Sequence, residues 1–162
     1  MHSLTQLLRN LSHNDFEALC FHLLKERYPN ANITKMEGRG GDKGVDLFAG
    51  RLSDGPWIWQ CKHFPNGVKR PQRRQIEKSL AAALRNYRPK RWILCLSVNL
   101  DPNGRDWFEK LQRKHQREVE MNLILGSDIE HALMYHQAIR EKFFPEAHIN
   151  VRELKALLAG TG

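Results

Sequence analysis

Apolar residues recur at helical spacing after Ser12, with Phe16, Leu19, Cys20, Leu23 and Leu24 on one stripe. Ser12 followed by Asp15 reads as a capping box opening this helix, and Tyr28-Pro29-Asn30 closes it. The period then changes. Residues 31–37 read as a short strand and VDLFAG, 45–50, as another; GRGGDKG, 38–44, lies between them with four glycines. Ser53-Asp54-Gly55-Pro56 is a hairpin turn signal before the apolar run WIWQCKHF, 57–64. Pro71 falls in the first turn of a helix carrying Ile76, Leu80, Ala83 and Leu84. RWILCLSV, 91–98, is continuously apolar, as a buried parallel strand requires. A helix from about Gly104 to Glu118, a strand near 121–126 and a helix opened by Ser127-Asp128-Ile129-Glu130 and running to about His136 follow. This order predicts an α/β domain with a central mixed β-sheet flanked by helices. It is expected to occupy residues 1–145, with 146–162 a C-terminal tail or the start of a linker to a further domain.

One strand breaks the pattern. Ile58, Gln60, Lys62 and Phe64 share one face of the 57–64 run, and Trp57, Trp59, Cys61 and His63 share the other. Gln60 and Lys62 are therefore neighbours inside an apolar element. Pairing around the 53–56 turn brings residues 46–48 opposite roughly 60–62, so Asp46 joins them. Burying a carboxylate, an amide and an ammonium is costly unless they pair or bind something. Hard divalent cations take oxygen ligands. Asp46 supplies a charged one, the Gln60 side-chain carbonyl a neutral one, and the backbone carbonyl of Cys61 a third. Lys62 is then placed to orient or deprotonate water, or to stabilise charge on a phosphate. His63 faces away from Lys62, and Trp57 and Trp59 are expected in the core.

The chain carries a formal charge of +8, which favours a polyanionic partner, either nucleic acid or an acidic membrane surface. The distribution narrows this: KRPQRR, 69–74, follows the odd strand directly. Arg39, Lys43, Lys69, Arg70, Arg73 and Arg74 flank the predicted site and are expected to contact DNA phosphates. No apolar run approaches the ~20 residues that span a bilayer, and the N-terminus lacks a secretory signal's apolar stretch. The three cysteines, Cys20, Cys61 and Cys95, are scattered along apolar segments. They read as buried, reduced thiols of a cytoplasmic protein. No second ligand pair stands at finger-like spacing, so a zinc site is not expected.

Asp46 in GVDLFAG, followed by Gln60-Cys61-Lys62 in WQCKHF, resembles the PD-(D/E)xK nuclease superfamily, and within it the Mrr-like restriction endonucleases in their Q-x-K variant. Asp42-Lys43-Gly44-Val45-Asp46 matches the D-x-G-[VI]-D element of that branch, and Phe16-Glu17 its Phe-Glu pair in the first helix. The resemblance is firm over 12–80 and looser beyond. It implies a restriction-endonuclease-like fold and hydrolysis of DNA phosphodiesters with Mg²⁺ or Mn²⁺, held by Asp46 and Gln60. It places Glu17 facing the site, as a further metal or water ligand. Asp42 reads either as a loop residue or as part of the site. Gln60 replaces the superfamily's commoner Glu, which lowers the charge of the ligand set.

The resemblance further implies the effector of a bacterial restriction or antiphage defence protein, working on double-stranded DNA as a homo-oligomer or fused to a sensing or NTP-driven module. No Walker-type loop occurs in the chain. Two other readings stand beside it: a catalytically inactive DNA-binding module of the same fold, and a protein-interaction domain docking through the helices after residue 100.

Overall fold

The computed structural model describes residues 3–37, 44–145 and 158–160. Arg39, Asp42 and Lys43, and most of the expected tail after 145, lie outside the described residues.

Two helices open the chain, α1 (Leu4–Arg9) and α2 (His13–Arg27). α1, which the apolar pattern did not show, has the fuller cap: Ser3 accepts from the Gln6 N–H, and the Gln6 side chain accepts from the Ser3 N–H. Ser12 caps α2 by accepting from the Asp15 N–H at 3.1 Å. Strands β1 (Thr34–Lys35), β2 (Leu47–Ala49) and β3 (Trp57–Lys62) are followed by α3 (Arg70–Tyr87), β4 (Arg91–Leu96), α4 (Pro102–His115) and β5 (Glu120–Ile124). The last described helices are α5 (Gly126–Tyr135) and α6 (Gln137–Phe143).

α5 begins earlier than the Ser127 signal implied. Asp128 reaches back from inside the first turn to accept from the Leu125 N–H at 2.8 Å, and the Ser127 N–H is taken by Asn99. Ser127 is thus a helical residue, not the cap.

The five strands form one mixed sheet in the order β1-β2-β3-β4-β5. β1 pairs antiparallel with β2, and β2 antiparallel with β3. β3, β4 and β5 are parallel, joined by the α3 and α4 crossovers, as parallel connections require. Helices cover both faces. Trp59, Cys61, Ile93 and Cys95 point into one core with Phe16, Leu19, Cys20, Ile129 and Leu133. Ile58, Trp92, Leu94 and Leu96 point into the other with Ile76, Leu80, Ala83, Phe108 and Leu111. The alternation read from WIWQCK therefore holds for its apolar residues.

The approach to β2 is pinned from the second core. Gly44 has a φ of +81°, and a Cβ there would overlap the Ser79 carbonyl of α3 and lie 2.7 Å from the Ala83 Cβ. Its own carbonyl accepts from the Trp92 indole N–H at 3.2 Å. Only glycine fits this conformation at this separation. Two residues later the chain reaches Asp46.

Candidate active site

Asp46 stands where β2 begins, and its backbone is kinked. Its C=O accepts from the Met36 N–H at 2.8 Å on the β1 side, while its N–H donates to the Trp59 carbonyl at 3.1 Å on the β3 side. In a regular strand both groups of one residue face the same neighbour. Leu47 is the register partner of Trp59, so Asp46 and Leu47 both address Trp59. That is the arrangement of a β-bulge, which re-aims a side chain.

The re-aimed carboxylate meets β3. Asp46 Oδ2 accepts from the Cys61 backbone N–H at 2.7 Å and from Gln60 Nε2 at 3.0 Å. The register sets Leu47, Phe48 and Ala49 opposite Trp59, Ile58 and Trp57, two residues short of the pairing expected from the turn, because the connection spans Gly50 to Pro56. The contact the sequence called for is still made, from a neighbouring rung.

Gln60 is 2% exposed, and its Oε1 is buried without a hydrogen-bond partner. An orphaned buried acceptor costs roughly 1–3 kcal/mol. Here it is a neutral oxygen beside a carboxylate, facing the α3 core. The Cys61 carbonyl points the same way as the Trp59 carbonyl, by the two-residue repeat of the strand, and therefore toward the Asp46 side. Lys62 closes β3 two residues after Gln60 on the same face and is half-buried. The donor set present is oxygen only: one carboxylate, one unsatisfied amide carbonyl and one strand-end peptide carbonyl. These are hard donors suited to Mg²⁺ or Mn²⁺.

The first turn of α2 lies at the same end of the sheet. Phe16 is fully buried, with its ring 5.6 Å from that of His63. Glu17 follows it, only 13% exposed at its side chain, and pairs with Lys35 at 3.8 Å. Lys35 is the β1 partner of Leu47, so Glu17 stands over the strand edge that carries Asp46. His63 turns away from Lys62, as expected. Its Nδ1 meets the Ser97 hydroxyl at 2.7 Å, and burial pushes the imidazole pKa down.

The basic cluster begins at the carboxyl end of β3, the end where open α/β sheets place their ligands. Lys69 is the N-cap residue of α3, and Arg70 and Arg74 are exposed on its first turns. Arg73 differs from the others: its guanidinium lies 5.7 Å from the centre of the Trp107 ring, and its Nε is buried without a hydrogen-bond partner. Trp107, on α4, also donates to Glu77 at 2.8 Å. Its part in shaping the basic face carried no signal in the sequence.

The cysteines are free and buried, as expected, but they lie together. Cys20, Cys61 and Cys95 are all buried, and their sulfurs lie within 4.8 Å of one another. Hydrogen bonds from Cys20 and then Cys61 push the Cys95 thiol down to about 5. They are scattered in sequence but not in space.

The five-stranded mixed sheet flanked by helices is a restriction-endonuclease-like α/β fold. The family model described as Restriction endonuclease (Mrr_cat) matches residues 8–133, and the chain belongs to that family. It is a restriction-endonuclease-type nuclease domain, and its substrate is DNA. Domains of this kind generally use divalent metal ions. Comparison with curated proteins and with solved structures gives no match. No helix among the described residues is long and apolar enough to cross a membrane.

Proposed function

We propose that the chain is a Mg²⁺- or Mn²⁺-dependent endonuclease that hydrolyses phosphodiester bonds of double-stranded DNA at a site built on Asp46, Gln60 and Lys62. The observation that carries this reading is the Asp46 carboxylate, clamped by the Cys61 N–H and the Gln60 amide beside a buried carbonyl oxygen that has no partner. Asp46, Gln60 Oε1 and the Cys61 carbonyl would hold the ion, with Glu17 as an outer contributor from α2. When bound, such an ion lowers the pKa of water and draws charge from a phosphate oxygen.

The protein's own groups do the rest. Asp46 is fixed in position by two donors before substrate arrives, so little reorganisation is needed at reaction. Lys62 directs a cationic donor at the scissile phosphate or its attacking water and offsets charge on the five-coordinate phosphorus. Lys69, Arg70 and Arg74 take up flanking phosphates and set the duplex across the end of β3. Arg73 presents its guanidinium edge while stacked on Trp107.

Residues 1–145 would form the nuclease domain and act as the effector of a bacterial restriction or antiphage defence protein. One site cuts one strand. A double-strand break therefore calls for a second copy, brought in by self-association or by a fused sensing or NTP-driven module.

The direct test is nicking of supercoiled plasmid by the purified chain. Activity is expected with Mg²⁺ or Mn²⁺ and none in EDTA. Cleavage that persists in EDTA would overturn the metal-dependent reading. Duplex binding without cleavage in either metal would favour an inactive DNA-binding module.

Two further outcomes follow from the geometry. In Gln60→Glu a second carboxylate replaces the amide that donates to Asp46. In EDTA this variant should lose about 2 kcal/mol of stability, from a lost hydrogen bond to a charged group and added like-charge repulsion. Mg²⁺ should restore the loss, because the ligand set gains a charge. Thermal unfolding with and without Mg²⁺ reads both effects, and equal destabilisation in the two conditions would count against Gln60 as a ligand. Replacing both exposed arginines, Arg70→Ala with Arg74→Ala, should weaken duplex binding on every sequence. It should also reduce the slope of log K against log salt by about two. Fluorescence anisotropy across a salt series measures this, and an unchanged slope would move the DNA path off α3.

A further inference from the structure

Three thiols from three separate elements converge on one point. Cys20 comes from α2, one turn beyond Phe16-Glu17. Cys61 comes from β3 and Cys95 from β4, where the two are register partners on adjacent parallel strands. Their sulfurs lie within 4.8 Å of one another, and no His, Asp or Glu among the described residues joins the group. Three sulfurs bonded at ~2.3 Å to one ion stand about 3.8–4.0 Å apart. The cluster needs only a small contraction to reach that spacing.

The surroundings also suit an ion. A cavity of about 590 Å³ lies against Cys20 and Cys95, between the sheet and the helices α2 and α5. It leaves space on one side of the sulfur triangle, where a fourth ligand would stand. A dication held by three thiolates leaves a single residual negative charge to bury, far less than three separate thiolates would.

We propose that Cys20, Cys61 and Cys95 hold one Zn²⁺ ion through three sulfur bonds, with the fourth coordination position open to water from the cavity. Each thiol gives up its proton to solvent as its sulfur–metal bond forms. The donors are soft, so this site is chemically separate from the oxygen ligands around Asp46. The two adjoin at Cys61, whose side chain faces the thiol cluster and whose N–H holds Asp46. This proposal does not rest on the nuclease reading.

The test uses the full chain, reduced and metal-free, titrated with Cd²⁺ in excess Mg²⁺ so that oxygen sites are already filled. One Cd²⁺ per chain is expected, with a sulfur-to-metal charge-transfer band in the ultraviolet, and Cd²⁺ should displace Zn²⁺ loaded beforehand. The ¹¹³Cd resonance should fall in the range of sulfur-rich coordination. This measurement needs no variant, so it stands even where a cysteine replacement impairs folding. Cys20→Ala and Cys95→Ala should each weaken Cd²⁺ binding by at least about 100-fold. No band, an oxygen-type ¹¹³Cd shift, or full binding in folded Cys95→Ala would each overturn the proposal and leave the thiols as core packing. Neither result depends on plasmid cleavage.

Discussion

Asp46→Ala is expected to lower plasmid nicking at least about a thousand-fold at saturating Mg²⁺. The carboxylate is the only charged oxygen that β2, β3 and the residue before β2 place beside Gln60 among the described residues, and it is the proposed charged ligand. Its loss removes that ligand and also leaves the Cys61 N–H and the Gln60 amide without their acceptor. The fold should survive, because the kink is held by backbone bonds to Met36 and Trp59 that alanine can still make. Lys62→Ala should lower nicking by about 10²–10⁴-fold. It should leave the Mg²⁺ dependence of thermal stability intact, since Lys62 is not a ligand. Circular dichroism on both variants separates lost chemistry from lost structure. Cleavage at parental rate by folded Asp46→Ala would mean that the site lies elsewhere.

Gly44→Ala should have the largest effect on stability, at about 4 kcal/mol or more. Two costs coincide there. A φ of +81° is strained for any residue with a Cβ, and the added methyl would meet the Ser79 carbonyl and the Ala83 backbone N–H at 2.8 Å. Both are backbone atoms of α3 and cannot rotate aside. Relief requires the chain before Asp46 to lift from the helix, which also breaks the bond from Trp92. Denaturant unfolding should show the loss, and whatever folded protein remains should nick poorly because Asp46 is displaced. A Gly44→Ala protein as stable as the parent would mean that this loop does not pack on α3 as described.

Much of the site was legible because it lies on a hairpin. Alternation alone assigned Gln60 and Lys62 to one face and Cys61 and His63 to the other; Cys61 lies in the core that holds Phe16, and the His63 ring lies beside Phe16. The register was misjudged by two residues, because it depends on the exact geometry of the 50–56 connection, which residue types constrain only loosely. The bulge at Asp46 left no trace in the pattern, since nothing marks the residue at which a strand turns its N–H to one neighbour and its C=O to the other.

The thiol cluster was invisible for a different reason. Cys61 and Cys95 meet only once the α3 crossover has fixed the β3–β4 register, and Cys20 only once α2 has docked on the sheet. Sequence spacing carries no information about either event. α1 and α6 were missed because six- and seven-residue helices are too short to show a stripe.

The kink at Asp46 has one more consequence. Its peptide is shared between β1, a strand of two residues at the sheet edge, and β3, which is buried at the centre. The proposed ligands on β3 belong to the central strand, expected to open last, while Asp46 is tied to a part that frays far more readily. The weakest link in the constellation is therefore thermal and local: on warming, catalytic competence should fade while most of the sheet is still protected from amide exchange.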